Sequence, residues 1–202
     1  MVAGTTSTVF INEFHYDNVS TDTGEFIEIA NTAGTDLTGW SVVLYNGNGG
    51  AVYDTRTLSG SAQFTVLTFP SNGIQNGAPD GIALIDASNA VVQFLSYEGT
   101  FTAVGGAANG LVSTDIGIAQ AGTESVGSSL YLTGSGGTYG DFTWAATSSN
   151  TSGLINAGQT FTTQNPADTR ETVAEYAAGG RAGAAAAVAA APAAIPKWAA
   201  TT

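Results

Sequence analysis

The sequence predicts an all-β domain, a sandwich or a barrel, and three observations predict it. Short runs rich in Val, Ile, Phe and Tyr recur every ~8–12 residues. Nowhere in residues 1–164 do apolar side chains repeat with a helical period. Turn-forming Asn, Asp and Gly residues fill the gaps between the runs, and the 202-residue chain carries 27 glycines.

Taken in order, Val9-Phe10-Ile11-Asn12-Glu13-Phe14 reads as a strand. A polar stretch over 17–24 separates it from Glu25-Phe26-Ile27-Glu28-Ile29-Ala30. There Phe26 and Ile27 are adjacent, so both faces are partly apolar, as in a strand inside a sandwich. Residues 31–39 form a turn-rich link. Trp40-Ser41-Val42-Val43-Leu44-Tyr45 follows, closed by Asn46-Gly47-Asn48-Gly49-Gly50, where Asn-Gly pairs supply the positive φ of tight hairpins. Further strands are predicted over 51–55, 63–69, 81–86, 90–96, 129–133 and 141–145, with turns at Pro79-Asp80-Gly81 and Ala87-Ser88-Asn89.

Composition excludes several functions. Charged residues make up 10% of the chain, against ~25% in ordinary soluble domains. Four basic residues face sixteen acidic ones, for a net charge of −12. Nucleic acid needs cations to displace counterions from its phosphates, and an anionic membrane surface needs them too, so neither is an expected partner. No apolar run reaches the ~18 residues needed to cross a bilayer, so membrane insertion is not expected. With no cysteine there is no disulfide, thiolate metal site or Cys nucleophile. Met1 to Thr8 lack the basic and apolar regions of a secretory signal.

The charge divides the chain. Residues 1–164 hold thirteen acids and a single base, Arg56, whereas residues 165–202 hold three of each and are neutral. Composition changes at Asn165-Pro166. This predicts a body over 1–164 and a low-complexity, Ala-rich C-terminal tail over 165–202. In the tail a short helix is expected from Asp168 to Tyr176, broken at Gly179-Gly180; residues 182–194 are nearly all alanine, stopped by Pro192 and Pro196. So short a helix is marginal alone in water, so the tail is expected to need something to receive it, most economically a neighbouring subunit.

Several blocks carry a resemblance. They are Ile11-Asn12-Glu13-Phe14-His15-Tyr16-Asp17-Asn18, Thr23-Gly24-Glu25-Phe26-Ile27-Glu28-Ile29, Asp36-Leu37-Thr38-Gly39-Trp40-Ser41 and Leu44-Tyr45-Asn46. Pro79-Asp80-Gly81-Ile82-Ala83-Leu84, Gln93 to Gly99, Ser113 to Gly117, Gly140 to Trp144 and Ser152 to Phe161 continue it. Over residues of about 9–161 the chain resembles a bacterial lamin-tail domain, of the kind attached to secreted nucleases. The resemblance implies an immunoglobulin-like β-sandwich and an extracellular or cell-surface, non-catalytic module. The catalytic domain that often accompanies such modules has no counterpart here, so no nuclease activity carries over. Asn12-Glu13 and Asn31 are expected at strand ends, bonding backbone groups. Trp40 and Trp144 are expected to plug the two ends of the core.

Candidate chemistry is sparse. His15 is the sole histidine; a zinc site or general base would need partners, and a ring hydrogen-bonded near Asp17 is the expectation. Asp22-Thr23-Gly24 matches the aspartic-protease triplet, but two such aspartates must share a proton and no second copy occurs, so a turn is expected. Glu25 and Glu28 lie i, i+3 on a strand and face opposite sides, which rules out a glycosidase pair. The best candidate cofactor is calcium: the loop from Asp17 to Glu25 places three acids, Asp17, Asp22 and Glu25, within nine residues, though without EF-hand spacing, and a solvated acidic loop competes with that reading. Lysine, the usual guard of exposed strand edges, is nearly absent, so edges must be protected otherwise or be used.

The sequence therefore predicts a structural subunit, not an enzyme. It is expected to form a homo-oligomer or filament, head to tail, through residues 165–202. The alternative is a protein- or glycan-binding accessory module of a secreted or cell-surface protein, with Tyr16, Tyr45, Tyr53 and Tyr97 as candidate exposed contacts, although a tyrosine so placed is more often a strand residue packed on its neighbour.

Overall fold

The computed structural model of the protein describes residues 4–162. The helix expected over 168–176 and the alanine-rich stretch beyond it lie outside the described residues. Eleven strands follow in chain order: β1 (Val9–His15), β2 (Phe26–Asn31), β3 (Ser41–Asn46), β4 (Val52–Thr57), β5 (Phe64–Thr68), β6 (Asp80–Ile85), β7 (Val91–Tyr97), β8 (Thr114–Asp115), β9 (Ser129–Gly136), β10 (Phe142–Thr147) and β11 (Gln159–Phe161). They form two sheets. One runs β10-β9-β1-β2-β5, with β11 also paired to β9; the other runs β4-β3-β6-β7-β8. This is the immunoglobulin-like sandwich that the sequence predicts.

The pairing is antiparallel except at two short additions, β11 on β9 and β8 on β7. Neither was predicted, because two or three residues are too few to show a period. The turn predicted at Pro79-Asp80-Gly81 is corrected: Asp80 and Gly81 open β6. A Cβ on Gly81 would lie 2.8 Å from the Leu95 carbonyl oxygen and 2.8 Å from the Phe101 ring. That glycine answers to close packing in the sheet, not to a turn. In the β3–β4 hairpin the positive φ angles fall at Gly49 and Gly50. Gly47 is needed for another reason, since a Cβ there would meet the Pro79 carbonyl oxygen at 1.9 Å.

Between the sheets lies the main core, including Ile11, Phe14 and Tyr16 from the first sheet and its loop, and Leu44, Leu84 and Tyr97 from the second. Phe14 is its aromatic hub, 5.9 Å from the Tyr16 ring, 5.8 Å from Tyr97 and 5.4 Å edge-on from Trp144. Both tryptophans pack at the margin of this core, half-buried. Two further apolar layers cover the outer faces. Over the second sheet, Phe101, Ala103 and Ala108 pack on Val43, Tyr45 and Phe94. On the first, Phe142 and Phe161, from β10 and β11 of the same sheet, pack against Phe10. Both faces of each sheet are thus covered at the centre, and every residue of β1, β2 and β6 is buried.

The alternation in β1 explains its bulge. Val9 and Ile11 point into the main core and Phe10 points out. In strict alternation Glu13 would follow Ile11 inward, placing a carboxylate among apolar rings at a cost of several kcal/mol or more. The register instead shifts between Ile11 and Glu13. The extra residue keeps Asn12 and Glu13 on the outer side and returns Phe14 to the core. Asn12-Glu13 therefore sits at a mid-strand bulge, not at the expected strand end. Asn31 does close β2, its side chain bonding the Thr35 backbone at both N–H and C=O.

The two ends of the described body meet on one hairpin. Ser7 and Thr5 carbonyls accept from the Tyr139 and Gly140 amides, and the Thr162 amide donates to the Gly136 carbonyl.

Phe14→Ala is expected to destabilise the protein by about 3–5 kcal/mol through the cavity left among the three rings. Urea denaturation checks this as a lowered midpoint at unchanged slope.

Candidate functional site

The loop from Asp17 to Glu25 joins β1 to β2 and was the sequence's best metal candidate. In the structure Asp17 and Asp22 come together, and Glu25 goes elsewhere. Asp22 accepts from the Asn18 amide at 3.0 Å and from Asn76 Nδ2 at 3.1 Å. Burial, and then the neighbouring Asp22, push the Asp17 carboxyl above its usual range. Glu25 instead accepts from the Gly73 and Ile74 amides, both at 2.8 Å. Among the described residues no group of three or more His, Cys, Asp or Glu side chains is placed to hold a metal ion. Asp22-Thr23-Gly24 forms a bend with Gly24 at φ +74.

His15 is fully buried, and its partners are Asn18 and Gln120, not Asp17. Asn18 Nδ2 donates to the Val19 and Thr21 carbonyls, so Asn18 Oδ1 faces the ring and accepts from His15 Nε2 at 3.1 Å. Gln120 Oε1 accepts the Tyr16 amide, leaving Gln120 Nε2 to donate to His15 Nδ1 at 2.9 Å. Both ring nitrogens are occupied, and the ring is a strut between two loops. Tyr16, Tyr45 and Tyr97 are fully buried and Tyr53 is half-buried, so none is an exposed contact. An aromatic signal in an alternating strand reports size, and here long connections cover both outer faces.

A polar network missed by sequence reasoning lies on the outer face of the first sheet. Glu13 and Glu28 are directly opposite across β1 and β2, and both are fully buried. Like charges so placed repel. Glu13 accepts from Ser129 Oγ, the Thr151 amide and Thr151 Oγ1. Glu28 accepts from Asn12 Nδ2 at 2.8 Å and from the Gly153 amide. Asn12 in turn accepts from Gln159 Nε2 at 2.7 Å. Asn156 Nδ2 bridges the Asn12 and Leu132 carbonyls where β1 and β9 part. The segment 151–159 is thereby pinned across the sheet.

A second polar assembly surrounds a cleft of about 520 Å³ at one end of the sandwich, between the loops at 20–22, 46–48 and 72–80. The main chain of one wall is held by buried or half-buried side chains. Glu25 takes the Gly73 and Ile74 amides, Asp22 Oδ2 takes Asn76 Nδ2, and the Tyr53 and Tyr97 hydroxyls take the amide and carbonyl of Gln75. Asp80 accepts from the Gly47 and Gly77 amides at 2.9 and 2.8 Å. Burial raises the Glu25 and Asp80 carboxyls above the usual range, and these backbone amides pull them partly back.

Residues 3–99 match the family model of the lamin tail domain. Over these residues the lamin-tail resemblance read from the sequence is shown, and with it the immunoglobulin-like fold; the blocks read from Ser113 to Phe161 lie beyond the match. The lamin tail domain is a structural family. Its matched span holds β1 to β7, whereas β9, beside β1 in the first sheet, lies beyond it. No curated protein and no solved structure matches the chain.

Glu13→Gln places an amide donor against two hydroxyls and a backbone N–H, and is expected to cost about 1–3 kcal/mol, measured by urea denaturation. Asp17, Glu25 and Asp80 hold their protons to higher pH in the folded state than in the unfolded chain. Across the window just above the ordinary carboxylate range the folded state therefore binds more protons, and stability falls as pH rises through it. The urea midpoint is expected to be higher near pH 5 than near pH 7. Asp36, Asp86 and Asp141, whose carboxyls are lowered, lose their contribution only at more acidic pH.

Proposed function

We propose that this protein is a non-catalytic structural module of the cell exterior, assembling head to tail through residues 165–202. One observation carries the reading: the edges of the two sheets differ. The second sheet ends in β4, with Asp54 and Arg56, and in β8, with Asp115. The first ends in β10 and β5, Phe-Thr-Trp-Ala-Ala-Thr and Phe-Thr-Val-Leu-Thr, with no charge and no proline. Unguarded edges of this kind are templates for an added strand. The neutral, Ala-rich segment 165–202 is chemically suited to an uncharged edge and is not repelled by the acidic body.

Four of the described side chains that could perform chemistry are engaged in holding the fold. Glu13, Glu25 and Asp80 hold backbone N–H groups, and both nitrogens of His15 are bonded. A general base acts on a substrate proton, whereas these groups are bonded to the protein's own polar groups. The exterior location follows from what the lamin-tail resemblance implies.

Deleting residues 169–202 is expected to leave a folded monomer, with aromatic circular dichroism unchanged. Light scattering across a concentration series is expected to show assembly of the full chain and none of the truncated one. Equal assembly of both, or a full chain that stays monomeric throughout, would refute the reading.

A further inference from the structure

The polar cleft is built with more care than a surface loop requires. Asn72, Asn76 and Gly77 on its wall are exposed, yet the backbone beneath them is fixed by Glu25, Tyr53, Tyr97 and Asp80. A buried supporting layer that locks an exposed polar surface is how proteins pre-organise a site.

The orientation of each amide follows from its partner. Asn46 Oδ1 accepts the Asn48 amide, so Asn46 Nδ2 is the donor end that remains. Asn72 Oδ1 accepts the Asp22 amide, so Asn72 Nδ2 is likewise a donor. Asn76 Nδ2 donates to Asp22, so Asn76 Oδ1 is an acceptor. Asp22 and Asp80 are 5% and 2% exposed and keep further lone pairs beside those already bonded. The cleft thus alternates fixed donors and acceptors above the apolar side chains of Ile74 and Pro79.

That chemistry selects a ligand class. Anions are disfavoured, because no basic side chain lines the cleft and Arg56 is paired with Asp54 over the Phe69 ring. A bare cation wants several converging charged ligands, and among the described residues no group of three or more His, Cys, Asp or Glu side chains is placed to hold one. An apolar ligand would strip water from the amides without replacing it. Vicinal hydroxyls both donate and accept, and each can bridge a carboxylate and an amide. We propose that the cleft binds a neutral polyhydroxylated ligand, a hexose unit of a glycan, through Asp22, Asp80 and the amides of Asn46, Asn72 and Asn76. This binding does not depend on the assembly reading above.

The test is a nitrogen-15 NMR titration of the full chain with the methyl α- and β-glycosides of glucose, galactose and mannose, and separately with calcium chloride. The expected result is saturable shifts at the amides of Gly47, Gly73 and Gly77 with at least one glycoside, at a dissociation constant of about 1–10 mM. Asn46→Asp exchanges one donor for an acceptor at constant size, and Asn48→Trp fills the mouth from an exposed position; each is expected to weaken binding about tenfold or more. Three outcomes would overturn the inference: no shift with any glycoside, a response to calcium alone, or glycoside shifts unchanged in both variants.

Discussion

Two buried glutamates opposite one another on neighbouring strands set a condition that the rest of the first sheet has to meet. Glu13 and Glu28 are sealed from water, and an isolated carboxylate in such a place would be driven to neutralise. The bulge at Asn12 turns Glu13 toward the outer face, which Glu28 reaches by the ordinary alternation of β2, and there hydroxyls and backbone amides can reach both. Those donors come from β9 and from the segment around Thr151 and Gly153, more than a hundred residues away. The late part of the chain is therefore required by the early part. β9, β11 and the connection between β10 and β11 complete a polar layer that β1 and β2 begin.

The same solution recurs at the other end of the sandwich. Residues 1–164 contain thirteen acids and one base, so most carboxylates have no side-chain cation to pair with. Backbone N–H groups take that role. Asp80 gathers two amides from two loops, Glu25 gathers two more from one of the same loops, and Glu124 and Asp141 each gather two in exposed turns. A hydrogen bond to an ionised acceptor is stronger than one between neutral groups, so each carboxylate stiffens the loop that surrounds it. Acidity in this protein serves as an internal brace as much as a surface property.

The sequence showed the strands well and their surroundings poorly. Runs such as Ser41 to Tyr45 and Phe94 to Tyr97 announce themselves by residue type, and the structure places β3 and β7 there. Periodicity reports which side of a strand is apolar, but not what a distant connection lays across the other side. Residue type alone therefore leaves Tyr16, Tyr45 and Tyr97 open between exposed contact and packed ring, and it does not show β8 and β11, which are defined by their partners. The metal candidate shows the same limit. Asp17, Asp22 and Glu25 are close in sequence, but Glu25 is claimed by Gly73 and Ile74, whose approach no local pattern reveals. The polar layer around Glu13 left one trace, a glutamate in phase with the core residues Val9 and Ile11, and that conflict could have pointed to the bulge.

The hairpin between β9 and β10 receives both the segment that leads into β1 and the residue that follows β11. Entry and exit share one address on the surface. A body wired in this way can be spliced into a loop of a host polypeptide with little stretch between the cut ends. Strung in series, such units would leave each junction on the same flank, with the opposite flank of every unit clear of connecting chain.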